Sequence, residues 1–185
     1  MINDILKDTE NRMNLSIESL RTELSRIRTG KANISLLDGI TVPYYGTPTP
    51  LNQVANISAP EPRLLTVQPW DKTIIGEIEK ALQASDLGIT PNNDGTVIRL
   101  PLPQLTQEVR EDLAKQARKR GEDAKVSVRN IRRDANDQIK KLEKAKEIPE
   151  DDSKSGQDDV QKLTDDAIKQ VDSVVAEKEK EVLEF

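Results

Sequence analysis

The sequence predicts an α+β protein of two domains, a long three-helix bundle carrying an inserted small α+β unit. Two observations lead there. Nine of the ten prolines lie between Pro43 and Pro103, while residues 1–29 have neither Pro nor Gly, and residues 104–148 have no Pro and only Gly121. Proline lacks an N–H and its ring clashes with the preceding turn, so it is excluded from helix interiors. The second observation is that the flanking segments carry apolar residues at helical spacing. The chain therefore leaves a helical body once, builds a turn-rich unit and returns. The bundle is assigned to residues 1–29 and 105–185 and the inserted domain to residues 30–104. Two adjacent backbone crossings, at Thr29-Gly30-Lys31 and Leu102-Pro103-Gln104, mark a hinge and suggest an L-shaped molecule.

In the first segment Leu6, Thr9, Met13, Ile17, Leu20, Leu24 and Ile27 step by three or four residues, a narrow seam along one helix face. Asn3 or Asp4 is expected to cap its start, and Gly30 to end it behind Arg26 and Arg28. The next stretch reads as short strands over Ile40–Tyr45, Val54–Ser58, Leu64–Gln68 and Thr96–Leu100. Gly46-Thr47-Pro48-Thr49-Pro50 and Asn92-Asn93-Asp94-Gly95 are turn signals. Asp71 is placed to cap a helix over Lys72–Ala84. Trp70, Tyr44 and Tyr45 are expected in this domain's core. Thr106 is the expected N-cap of a second long helix, whose seam runs Leu105, Val109, Leu113, Ala117, Gly121, Ala124, Val128, Ile131, Ala135, Ile139 and Leu142. Pro149 suits the start of a third, seamed by Val160, Leu163, Ala167, Val171, Val174 and Val182. Three seams that cannot bury themselves alone imply three helices packed together.

Composition removes whole classes of chemistry. With no Cys and no His, the chain lacks a thiol nucleophile, disulfides, the soft metal ligands and the usual neutral-pH base. No paired carboxylates converge in the pattern, and Thr29-Gly30-Lys31-Ala32 fails the phosphate-loop motif because Ser25 stands at its first Gly and Ala32 at its Ser/Thr. No enzyme, cofactor or metal is expected. No run approaches a membrane span, and the polar start Met1-Ile2-Asn3-Asp4 carries no secretion signal, so a cytoplasmic protein is expected.

The net charge of −5 conceals a split. Residues 105–146 hold thirteen basic and eight acidic groups, whereas residues 147–185 hold five and thirteen. On a helical wheel Lys115, Arg118, Lys125, Arg129, Arg132, Arg133 and Lys140 gather beside the core seam of the second long helix, interrupted by Glu111, Glu122 and Asn136. Many such stripes are solvated faces paired with acids three or four residues away. Here Arg129, Arg132 and Arg133 set three guanidinium groups within two turns, and guanidinium is the better phosphate fork. That favours a phosphate-binding face. With four aromatics in the chain, Tyr44, Tyr45, Trp70 and Phe185, base stacking is not its means.

Several longer motifs resemble the bacterial ribosome recycling factor family across the whole chain. They are Ile27-Arg28-Thr29-Gly30-Lys31-Ala32, Tyr44-Tyr45-Gly46-Thr47-Pro48-Thr49-Pro50-Leu51, Ser85-Asp86-Leu87-Gly88, Ile98-Arg99-Leu100-Pro101-Leu102-Pro103, Val128-Arg129-Asn130-Ile131-Arg132-Arg133-Asp134-Ala135 and Asp158-Asp159-Val160-Gln161-Lys162-Leu163-Thr164-Asp165. The resemblance implies a long antiparallel three-helix bundle with an inserted small β/α/β domain, in a monomer shaped like transfer RNA. It implies binding to ribosomal RNA of the large subunit after termination, and splitting of the ribosome with elongation factor G and that factor's GTP hydrolysis. The family's RNA-facing basic positions correspond to Arg28, Lys31, Arg110, Arg129, Arg132 and Arg133. Lys31 stands where the family often has Arg, and Gln104 where many members have Pro; Ile34 is a further departure near the junction. The competing class is a helical adaptor whose basic face holds an acidic protein. Steep salt-dependent binding to large subunits separates the two.

Overall fold

The computed structural model describes residues 1–184; Phe185, counted above among the aromatics, lies outside the described residues. The chain divides into two compact units. One combines residues 1–24 with 114–180, and the other residues 25–113 with the end of the last helix from Glu181.

The first unit is built from three helices, α1 (Ile2–Ser25), α3 (Gln107–Lys144) and α4 (Glu150–Glu184), all three running past its limits. Between α1 and α3 in the chain lies α2 (Ile75–Ala84), which belongs to the second unit. The seam of α1 is buried at Thr9, Met13, Ile17, Leu20 and Leu24. It meets Ala114, Ala117, Gly121, Val128, Ile131, Ala135 and Ile139 of α3 and Val160, Ala167, Val171 and Val174 of α4. Each large aliphatic side chain removed from water contributes about 1.5–3 kcal/mol, which holds together helices that could not stand alone. Two threonines sit in this apolar seam because each hydroxyl is satisfied locally. Thr9 donates to the Ile5 carbonyl at 2.7 Å, and Thr164 to the Val160 carbonyl at 2.8 Å.

Small residues let α3 and α4 approach closely. A Cβ on Gly121 would lie 2.5 Å from Cγ2 of Val175. The two helices are antiparallel, as Arg118–Glu179 (2.8 Å) and Lys125–Asp172 (2.6 Å) show: seven residues forward on α3 match seven residues back on α4. α1 is antiparallel to α3 in the same way, through Arg12–Asp134 (3.1 Å) and Glu23–Arg120 (3.7 Å).

Helix ends follow the local chemistry, with two departures from the sequence pattern. Thr106 caps α3 by accepting the Val109 N–H at 3.2 Å, and the Pro149 carbonyl accepts the first bond of α4. Glu150, Asp151 and Asp152 then sit at the positive end of the α4 dipole. The first departure is that α1 begins at Ile2, so Asn3 and Asp4 lie in its first turn rather than before it. The second is that α1 stops at Ser25, short of Gly30. Positive φ among glycines is confined to Gly39, Gly46, Gly88 and Gly95, so no left-handed Gly30 closes that helix. Instead the Thr29 hydroxyl bonds both the carbonyl and the N–H of Lys31, a local turn that competes with helix.

The second unit holds a two-stranded hairpin, β1 (Thr41–Tyr44) with β2 (Thr47–Pro50), and a four-stranded antiparallel sheet. The sheet comprises β3 (Ala55–Glu61), β4 (Leu64–Pro69), β5 (Asn92–Asn93) and β6 (Ile98–Pro101), in the order β3-β4-β6-β5. The Gly46–Pro50 segment, read above as a terminator, is mostly strand. Tyr45 and Gly46 both take positive φ (49° and 77°), the turn geometry that matches strand twist, and each proline sits in an edge hairpin where its missing N–H is tolerated. Asp71 caps the approach to α2 by accepting the Thr73 N–H at 3.0 Å, and the first turn there is 3₁₀, over Lys72–Ile74. Val42, Leu51, Leu65, Val67, Ile78, Leu82, Ile98 and Leu100 form a core of its own.

Candidate nucleic-acid interface

The basic stripe of α3 resolves into two kinds of residue. Towards the N-terminal half of the helix two of its charges, Arg118 and Lys125, are taken up by α4. Arg118 pairs with Glu179, and Lys125 pairs with Asp172 while also reaching Glu122 at 3.4 Å. The hydrogen bond to Asp172 holds the Lys125 ammonium above its ordinary pKa. Further along, Arg129, Arg132 and Arg133 have no ion pair or hydrogen bond to any described residue. Arg129 and Arg132 are half-buried beside the α3–α4 seam, and Arg133 is exposed. At 1.5 Å per residue the three span about 6 Å of helix axis. Half-burial of Arg129 and Arg132 packs their aliphatic stems while the charged heads stay in water.

The opposite flank of α3, facing α1, offers no comparable set. Its arginine Arg120 and the Arg12 that α1 presents are matched to Glu23 and Asp134. The shallow groove there is lined by Leu15, Ser16, Ser127 and Asn130.

The remaining sequence-predicted residues belong to the second unit. Arg28 and Lys31 lie on the non-helical segment after α1, with Arg28 half-buried and Lys31 exposed. Arg110, in the first turn of α3, donates through Nη1 to the Leu183 carbonyl at 3.3 Å, near the end of α4, while its Nε is buried without a partner. Its guanidinium therefore satisfies a helix C-terminus. The expected hinge residues Thr29, Gly30 and Lys31, and Leu102, Pro103 and Gln104, also lie in this unit. The two crossings are stitched to one turn. The Ala32 N–H donates to the Pro62 carbonyl, and the Leu102 N–H to the Arg63 carbonyl at 2.8 Å.

The aromatics correct the sequence reading. Tyr45 is 86% exposed and Trp70 62% exposed, whereas only Tyr44 is half-buried, with its ring edge-on to Tyr45 at 4.5 Å. Tyr45 is carried out of the core by its turn position before Gly46, a signal the sequence did contain. Among the described residues no group of His, Cys, Asp or Glu is placed to hold a metal ion, and no helix is long and apolar enough to cross a membrane.

Known proteins with this architecture share the sequence as well. The family model described as ribosome recycling factor matches residues 20–183. The chain belongs to the ribosome recycling factor family. It is 60% identical to the ribosome-recycling factor of Brevibacillus brevis over 180 residues, 97% of each chain. It is 59% identical to that of Natranaerobius thermophilus over 184 residues, 100% of each. Its fold matches a solution structure of the ribosome recycling factor with a TM-score of 0.81 at 38% identity, covering 100% of this chain and 98% of the other. A second match, with a TM-score of 0.68 and 42% identity over 99% of each chain, is the T. thermophilus ribosome recycling factor, described with E. coli elongation factor G bound to the E. coli post-termination complex.

Proposed function

We propose that the chain binds the post-termination ribosome on its large subunit and, with elongation factor G and GTP hydrolysis by that factor, splits it into subunits. It is a non-enzymatic translation factor, and it works in the cytoplasm. Arg129, Arg132 and Arg133 bind ribosomal RNA phosphates, with Arg28, Lys31 and Arg110 as further basic contacts. Residues 1–29 and 105–185 form the gripping bundle, and residues 30–104 the domain that moves about Thr29-Gly30-Lys31 and Leu102-Pro103-Gln104. The observation that carries the assignment of the RNA face is the contrast along one helix flank. Arg118 and Lys125 are spent on acids of α4, whereas three arginines one to two turns further on have no acid to hold. Guanidinium groups with no acid among the described residues, two of them on half-buried stems at Arg129 and Arg132, are arranged for an external anion.

The deciding experiment is a subunit-splitting assay on post-termination ribosomes, with the chain, elongation factor G and GTP omitted in turn. Splitting should require all three. Splitting that persists without the chain would refute the function, and splitting without elongation factor G would refute the shared mechanism.

A further inference from the structure

The α3–α4 ion-pair ladder has a missing rung. Arg118–Glu179 and Lys125–Asp172 are separated by seven residues on each helix. Seven residues return a helix to within about 20° of the same face. Continuing that register, the next rung falls at Arg132 and Asp165, and one turn beyond it at Asn136 and Gln161. No bond joins Arg132 to Asp165. Instead Gln161 Nε2 donates to Asp165 Oδ1 at 2.9 Å, within α4. Asn136 Oδ1 is buried and has no partner. At one level of the seam, then, a cation has no anion, an anion is held by an amide from its own helix, and a buried acceptor lacks a donor.

These four side chains have a second, complementary arrangement. Arg132 would take Asp165, and the Gln161 amide thus released would donate to Asn136. The first arrangement leaves Arg132 open to an external phosphate but leaves Asn136 unsatisfied. The second would give Asn136 Oδ1 a donor and withdraw Arg132. We propose that Asp165 and Gln161 form a latch on Arg132, with Asp165 competing against RNA phosphate for the guanidinium and Gln161 holding Asp165 away from it. The latch sets how readily Arg132 engages RNA and favours targets whose other contacts recruit it over isolated phosphates. It also gives Gln161 and Asp165, within the acidic motif of α4, a role in the binding of RNA that neither touches. This inference rests on Arg132 being a phosphate ligand.

The test is equilibrium binding to isolated large ribosomal subunits over a series of KCl concentrations. Asp165→Asn, Gln161→Ala and the control Asp166→Asn are each made with Arg132 intact and with Arg132→Ala. With Arg132 present, Asp165→Asn should tighten binding roughly threefold, the scale of a partly exposed ion pair. Gln161→Ala should weaken it, and Asp166→Asn, the same charge change one residue away, should leave it unchanged. With Arg132→Ala both effects should vanish. The latch is overturned if Asp165→Asn has no effect, if Asp166→Asn tightens binding equally, if Gln161→Ala binds as well as the parent, or if the gain from Asp165→Asn survives Arg132→Ala, which is simple repulsion between Asp165 and RNA. Weakened binding by Arg132→Ala with no effect of Asp165→Asn sinks the latch alone. Binding by Arg132→Ala equal to the parent sinks the phosphate reading and the latch together.

Discussion

Arg118 and Arg132 lie on the same flank of α3, two heptads apart, and truncating each to Ala should produce opposite outcomes. Arg118 Nε meets Glu179 Oε1 at 2.8 Å, with the two side chains 58% and 28% exposed. A pair that open to solvent contributes about 0.2–1 kcal/mol. For a chain of this length that lowers the melting temperature by about 0.4–4 °C. Arg132 makes no ion pair or hydrogen bond with any described residue, so Arg132→Ala loses only the packing of its half-buried stem and should stay within about 0.5 kcal/mol of the parent. In binding, the order reverses. A charge-assisted hydrogen bond to phosphate is worth about 1.5–3 kcal/mol, so Arg132→Ala should weaken binding to large subunits by roughly 10- to 150-fold. Removing one phosphate contact should also reduce the slope of log affinity against log salt by about 1. Arg118→Ala should keep both affinity and slope. Sedimentation binding across KCl concentrations, paired with thermal melts followed by circular dichroism, reads all four quantities. Equal loss of affinity in the two variants would show that only the total charge of the helix matters and would refute the division into paired and free residues.

Three further predictions address the scaffold and its motion. Gly121→Ala should destabilise, because overpacking against Val175 costs about 1–3 kcal/mol and helix propensity returns only about 1, whereas Gly76→Ala, with open space around it in α2, should be neutral or stabilising; urea unfolding with Gly121→Ala as stable as the parent would contradict the packing. Asp94 accepts the Val97 and Thr96 N–H groups and bonds Arg99, which lowers its pKa from 3.8 to about 2, so its contribution is complete above the unfolded value and disappears as pH falls through the folded one. The stability gap between the parent and Asp94→Ala should therefore narrow from pH 4 towards pH 2; a constant gap would show no coupling, and a widening gap coupling of the opposite sign. A disulfide engineered between residues of the bundle and of the inserted domain, in a chain with no native Cys, should leave ribosome binding nearly intact and abolish splitting until reduced; normal splitting by the locked form would reduce the hinge to a tether.

The helical seams were legible because burial follows a 3.6-residue period that sequence displays directly. Met13, Ile17, Leu20 and Leu24 were read as one face and are buried as one. Where the reading failed, a local competitor was invisible or misjudged. Gly30 looked like a helix terminator, yet α1 ends at Ser25 and Thr29 closes a turn of its own. Pro48 and Pro50 looked like breakers, but an edge hairpin needs few of the N–H groups they lack, so β2 forms through them. Trp70 was assigned to the core on hydrophobicity alone, and its exposure depends on where Pro69 and the Asp71 cap turn the chain.

The candidate site divides along a different line. Sequence placed seven basic residues on one sector of α3, and nothing in α3 itself separates Arg118 from Arg132. The distinction comes from α4, through a register that no local pattern encodes. It depends on Gly121 meeting Val175 closely enough to bring Glu179 and Asp172 onto the stripe. The same register then carries Asp165 to Arg132 without joining them, because Gln161 reaches Asp165 first. Conversely Arg110, equal to the others as a basic position, is already engaged with the Leu183 carbonyl and would give up that bond to reach RNA. A basic stripe is thus a set of cations whose availability is decided by the neighbouring helix. The free members are found by asking which acids the antiparallel partner delivers, one heptad at a time.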